Sequence, residues 1–464
     1  MSTTSEARGH PASFRDRDGF LYERDGLLYR QVNRAYAAHY DLLMQSGLYD
    51  RLVGEGALIG HRESAQPGLV PELAYKVLEP DRVEFVSYPY EWCFSQLKDA
   101  ALATLETLSR AIEHGLTLKD ASAYNIQFKA GRPVLIDSLS FMQYEEGQPW
   151  VGYRQFCQHF LAPLALMAHN DIRLGQLLRV HLDGIPLDLA SRLLPWRTHL
   201  NPGLQVHLHL HAAAQRKAGN QRASLGRRRR GVSRLGMRGL VDSLRRTVQS
   251  LSWEPDRTDW ARYAEFHSYS EASMQQKLTT AEKFLDGVQP HSLWDLGANT
   301  GQFSRLASGR GIATLAFDFD PGAVELTYRQ MRQARDPNLL PLLLDLTNPS
   351  PSQGWAHQER ESLVDRGPAD GLLALALIHH LAISNNVPLT ALAHFLSRVA
   401  KSLLIEFVPK VDPQVQRLLA SRTDIFDEYS SDGFEAAFRA THVTREWTPV
   451  GDSGRTLYWL ERRW

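Results

Sequence analysis

The chain has 464 residues, 43% hydrophobic and 22% charged, enough for two or three domains with the balance of an ordinary globular protein. Its 52 basic residues equal its 52 acidic ones, so no overall field favours nucleic acid or a membrane surface. Cys93 and Cys157 alone exclude a disulfide framework or a cysteine metal site. The first ten residues have no apolar core behind a basic head, and the longest apolar runs fall far short of a bilayer span. A cytoplasmic protein without a membrane partner is expected.

Residues 1–205 read as a mixed α+β domain. "GFLYERDGLLYRQV" predicts a hairpin, because Asp25-Gly26 supplies turn residues between two half-apolar runs. "FSQLKDAALATLETLSRAIEHG" carries Leu97, Ala101, Leu105, Leu108 and Ile112 at helical spacing, with Gly115 closing the helix. Trp150, Tyr153, Phe156, Phe160 and Leu164 follow the same period and predict a core helix. In "VHLHLHAA", His207, His209 and His211 alternate and on a strand would share a face. No carboxylate or cysteine stands nearby, so a polar face is expected rather than a metal site.

Residues 206–252 are rich in arginine and read as a linker, with contact to an anionic partner as the alternative. Residues 253–464 begin with a largely helical stretch. Then "SLWDL", "ATLAFDFD", "LLPLLLDL", "GLLALALI" and "SLLIEFV" alternate with helix-length segments. That alternation predicts a doubly wound α/β domain with a mainly parallel sheet, whose ligand lies at the carboxyl ends of the strands.

The turn after the first of these strands, D-L-G-A-N-T-G, holds Asp295, Gly297, Asn299 and Gly301. Glycine permits a sharp turn and close approach of a ligand. A dinucleotide site has glycine where Asn299 stands, and an acid at the mouth of the turn disfavours phosphate but suits a sulfonium or ammonium group. These residues resemble the class I S-adenosylmethionine-dependent methyltransferase family over roughly 255–464. "LALALIHHLAISNNVPL" and "LIEFVPKVDPQV" look like its subgroup of nodulation-type methyltransferases related to NoeA. The resemblance implies that Asp318, with Asp320 close by, accepts hydrogen bonds from the ribose hydroxyls, and that Asp345 meets the adenine amino group. It also places His379 and His380 beside the reacting centre, where either imidazole can act as base. The fifth strand would end near Glu406. No N/D-P-P-Y/F motif follows the fourth strand, which disfavours a nucleobase amine as acceptor.

"LTLKDASAYNIQFKAGRPVLIDSLSF" holds Asp120, Asn125 and Asp137 at the intervals of a kinase catalytic loop and metal-binding aspartate. Residues from about 15 to 200 thus resemble kinase-like phosphotransferases. The resemblance implies ATP with magnesium on Asn125 and Asp137, Asp120 orienting a hydroxyl, and "VSYPYEW" as a hinge strand that pairs adenine. Departures are plain: Leu118 and Lys119 precede Asp120, Ser138-Leu139 follow Asp137, and no glycine-rich loop comes first. Lys76 stands too near Asp120 to be the phosphate lysine, and Arg30 is better placed but the wrong residue.

The expected activity is methyl transfer from S-adenosylmethionine to a small-molecule or carrier-linked acceptor. The alternatives are a bifunctional kinase and methyltransferase, or an RNA-modifying enzyme that binds nucleic acid through the arginine segment around Arg227 to Arg230.

Overall fold

The computed structural model describes residues 7–214, 231–255, 270–420 and 422–463. The chain divides into two compact units, one of residues 1–253 with 354–360, the other of 254–353 with 361–464. The arginine run Arg227 to Arg230 lies outside the described residues.

The first unit is α+β. Strands β1 (Arg8–Gly9), β2 (Gly19–Arg24), β3 (Leu27–Asn33), β4 (His61–Ser64) and β5 (Ala74–Pro80) form an antiparallel sheet in the order β1-β2-β3-β5-β4. The β2–β3 turn is Asp25-Gly26, both at positive φ (53° and 73°), the conformation that matches the twist of a two-residue hairpin. Helix Phe94–Glu113 buries Leu97, Ala101, Leu105, Leu108 and Ile112, and Gly115 behind it has φ 78°. Two small antiparallel pairs follow: β6 (Leu116–Leu118) with β9 (Phe141–Gln143), and β7 (Ile126–Lys129) with β8 (Arg132–Leu135).

Two expectations for this unit fail. The stretch 234–250 is a packed helix, Arg234–Ser250, with Met237, Val241, Leu244 and Val248 buried along one face. Ser233 caps its first turn by accepting from Gly236 N (3.2 Å), while Lys98 Nζ donates to the carbonyls of Gln249 (2.9 Å) and Leu251 (2.7 Å) at its end. Residues 206–252 are therefore not a linker throughout. His207 and His209 lie on a helical turn, Gln205–Leu210, not on a strand. They bond hydroxyls there: His207 those of Tyr153 (2.9 Å) and Ser243 (2.8 Å), His209 those of Ser191 and Thr198 (both 2.9 Å).

The second unit carries a seven-stranded sheet: β10 (Ser292–Leu296), β11 (Ala313–Asp318), β12 (Leu339–Leu343), β13 (Ala369–Ala374), β14 (Ala400–Phe407), β15 (His442–Pro449) and β16 (Thr456–Arg462). Their order is β12-β11-β10-β13-β14-β16-β15, with the first five mutually parallel and β16 antiparallel to both its neighbours, β14 and β15. Chain order reverses between β10 and β13, so the crevice at the carboxyl ends of these strands is where a doubly wound sheet accepts a ligand. Buried Leu293, Leu373 and Leu404 from the central strands pack with Phe284 and Leu285 of helix Glu271–Val288 to form the core beneath it.

Candidate functional site

A cavity of about 400 Å³ opens at that reversal point. Gly297 and Asn299 line it from the turn after β10, Phe317 to Phe319 from the end of β11, Leu344 to Thr347 from beyond β12, and Leu375 to Leu377 with His380 and Leu381 from beyond β13.

The turn after β10 depends on local backbone chemistry. Gly297 has φ 73°, and a Cβ there would stand 3.2 Å from Leu377 Cδ1, so a side chain is disfavoured by both backbone and wall. Its amide and that of Ala298 both donate to the Phe317 carbonyl at 2.9 Å, which ties the turn to the neighbouring strand. Gly301 (φ 75°) caps helix Gln302–Ser308, and a Cβ there would come within 2.9 Å of Thr327 Cγ2. Gly301 thus serves packing, while Gly297 faces the cavity.

The four acids divide by position. Asp318, 6% exposed, lines the cavity and accepts from the amides of Asn299 (2.7 Å) and Asp320 (2.9 Å). Burial raises its pKa to about 6 despite those amides. Asp345 also lines the cavity, and its Oδ1 accepts from the amide (2.8 Å) and hydroxyl (2.6 Å) of Thr347. Asp295 stands behind the turn, where it accepts from Ser304 Oγ (2.6 Å); burial pushes its carboxyl to about 7. Asp320 caps helix Pro321–Ala334 through Gly322 N (2.8 Å). Of the acids at the strand tips, Asp318 and Asp345 are thus brought to one cavity, whereas Asp295 and Asp320 shape its frame.

His379 and His380 differ as sharply. His380 lines the cavity, and burial with the nearby Arg455 charge lowers its pKa, so its imidazole is neutral at physiological pH. His379 is 1% exposed and does not line the cavity; its ring lies 4.1 Å from that of His380, and burial lowers its pKa to about 2.

Sequence patterns gave no sign of the charges beneath this wall. Glu406, at the end of β14, accepts from Lys277 Nζ and from the Ala376 amide, both at 2.8 Å. Arg455 stands 3.8 Å from the other Glu406 oxygen and donates to Asp412 at 2.7 Å. Lys277 and Glu406 lie 129 positions apart, so no local motif announces their pairing.

In the first unit, Asp120, Asn125 and Asp137 also converge. Asp120 accepts from Ser122 N (2.9 Å), Asn125 Nδ2 donates to Ser140 Oγ (3.3 Å), and Ser140 Oγ donates to Asp137 Oδ2 (2.7 Å). The guanidinium of Arg30, on β3, pairs with Asp137 Oδ1, while Lys119 pairs with Asp18. Burial acts to raise the Asp137 pKa, but Arg30, Ser140 and the Leu139 amide outweigh it and hold the carboxyl below its usual range. Magnesium fits this set poorly, because the aspartate that would bind it already carries a cation and a hydroxyl. Nor is "VSYPYEW" a strand. It holds a short turn, Pro89–Glu91, in which the Ser87 amide donates to Gln127 (2.8 Å) and the Tyr88 amide to Glu91 (2.9 Å), so those donors are already used.

Fold and site together define an α/β protein with a ligand cavity at the strand tips of a doubly wound sheet. No family model matches the chain. It is 36% identical over 459 residues to nodulation protein NoeA of Rhizobium meliloti (strain 1021), covering 97% of this chain and 95% of that protein. The chain belongs to the NoeA family. Among solved structures, the bifunctional kinase-methyltransferase WbdD overlaps 43% of this chain and 42% of its own at 14% identity and a TM-score of 0.31. Magnesium protoporphyrin IX methyltransferase (ChlM) from Synechocystis PCC 6803, with bound SAH, overlaps 45% of this chain and 95% of its own at 13% identity and a TM-score of 0.33. Overlap at that level leaves the functional reading resting on the chain's own residues. Among the described residues no helix is long and apolar enough to cross a membrane.

Proposed function

We propose that this protein is an S-adenosylmethionine-dependent methyltransferase acting on a small-molecule or carrier-linked acceptor. The observation that carries the reading is the single cavity that gathers Gly297, Asn299, Asp318, Asp345 and His380 at the reversal point of the sheet. The residues fit the cofactor: Gly297 leaves room for close approach, the Asp318 carboxylate can accept from ribose hydroxyls, and Asp345 from an adenine amino group. Leucines 344, 346, 375 and 377 with Phe317 and Phe319 supply apolar walls.

The cofactor, when bound, supplies an electrophilic methyl group on a sulfonium. The chain then needs chiefly to align an acceptor atom with that carbon and to keep water away. His380 faces the cavity as a neutral imidazole, able to take a proton from an acceptor that arrives protonated. His379, sealed beneath the wall, packs against His380 and does not meet the acceptor.

Isothermal titration of the full chain with S-adenosylhomocysteine tests the cofactor, and transfer of a labelled methyl group into metabolites of cells with and without the protein identifies the acceptor. Saturable micromolar binding is expected. No heat of binding from protein shown to be folded by circular dichroism overturns the reading.

A further inference from the structure

The wall Leu375 to Leu377 rests on buried charges that methyl transfer does not itself use. Glu406 is 0% exposed, and Lys277, Arg455 and Asp412 are buried with it. Their two positive and two negative charges cancel. Replacing buried ion pairs by apolar side chains is often neutral or stabilising, so stability alone does not explain why four charges are held here. One thing the set provides that apolar residues would not is an acceptor for the Ala376 amide. Ala376 has φ 51°, a left-handed conformation that alanine adopts only when its surroundings impose it. Ala374 pairs in register with Ile405, which brings the next residue of β14, Glu406, beside the chain as it leaves β13. Oε2 of Glu406 takes the Ala376 N–H at 2.8 Å, and Lys277 donates to the same oxygen, fixing the carboxylate in place.

We propose that Glu406 is a positioning residue, a latch that holds Ala376 left-handed and thereby sets the cavity wall from Leu375 to His380. Lys277 at 2.8 Å from one carboxylate oxygen and Arg455 at 3.8 Å from the other hold the latch in its orientation. The inference deepens the reading of the cavity as a cofactor site and rests on it for its effect on affinity, but the latch itself is a property of the unliganded chain.

Two double variants separate the latch from the ion pair. Lys277→Met with Glu406→Gln and Lys277→Met with Glu406→Leu both remove that pair, and they differ in whether an acceptor remains for the Ala376 amide. In ligand-free protein, hydrogen exchange over 375–381 should be at least tenfold faster in the Leu double than in the Gln double, with unfolding temperatures alike. S-adenosylhomocysteine affinity should fall at least tenfold in the Leu double and no more than about threefold in the Gln double. Equal exchange in the two overturns the latch. Faster exchange with equal affinity overturns its role in setting the wall. If wild type binds no cofactor, the functional reading fails while the exchange arm still decides the latch. Should either double fail to fold, Glu406→Asp, still charged but one methylene shorter, replaces the pair: faster exchange than wild type over 375–381 supports the latch, and unchanged exchange overturns it.

Discussion

Asp137 in the first unit, its side chain 16% exposed, and the buried Asp318 in the second both stand just past or at the end of a strand, yet their charges meet opposite treatment. Asp137 faces the Arg30 guanidinium and the Ser140 hydroxyl, which hold it ionised against the cost of burial. Among the described residues Asp318 accepts from backbone amides, and burial raises its pKa to about 6. A carboxylate already matched by a full positive charge has little left to offer a ligand. One held by amides at a cavity wall still gains from the donors a ligand brings. The same residue type at similar points of two sequence motifs therefore serves internal packing in one unit and faces a cavity in the other.

That contrast can be broken or sharpened by substitution. The largest effect is expected for Gly297→Arg, which places a side chain at φ 73° against Leu377 and into the cavity. S-adenosylhomocysteine binding should fall by at least about 100-fold in titration calorimetry while the sheet remains folded. Arg30→Met should cost about 3 kcal/mol in denaturant unfolding, because it strands the Asp137 charge in a site only 16% exposed. The sign with pH follows from the direction of the shift. Wild-type Asp137 has a depressed pKa, so its contribution is present above the ordinary carboxyl range and is lost in acid. Removing Arg30 removes a cause of that depression, so the deficit should shrink as pH falls below 3.8. A deficit independent of pH would show that Arg30 acts by packing alone.

Asp318→Ala should weaken S-adenosylhomocysteine binding roughly 10- to 100-fold, the loss of about 1.5–3 kcal/mol for hydrogen bonds to a charged group. Asp137→Ala should leave that affinity within twofold. Equal losses in the two variants would erase the distinction between the units. A further effect, on stability, concerns Asp295, whose pKa rises on folding from 3.8 to about 7. The folded chain therefore binds this proton more tightly than the unfolded one, and the carboxyl lowers stability progressively as pH climbs between those values. Asp295→Asn should flatten that slope in ligand-free protein, a gain relative to wild type on the order of 1–3 kcal/mol at pH 8 and less at pH 5. An unchanged difference between the two pH values counts against the shift.

Much of this was legible in the sequence where the signal is local. The hairpin at Asp25-Gly26, the helix ended by Gly115 and the apolar strands of the second unit each announce themselves within a dozen residues. Composition misled at 206–252, where abundant arginine hid Met237, Val241, Leu244 and Val248 at the spacing of one helix face. Spacing misled at His207, His209 and His211, since alternation fits a strand only if the backbone is extended.

The sequence by itself determined the doubly wound order of strands and helices and the glycine turn after β10, because apolar runs and left-handed positions act through the backbone of their own neighbourhood. Only tertiary structure decided which acids face the cavity, that His380 lines it while His379 is sealed below, and that Arg30 claims Asp137. Those outcomes depend on charges and donors that meet across long stretches of chain, where burial and the nearest partner, not the residue type, set what a carboxylate or an imidazole can do.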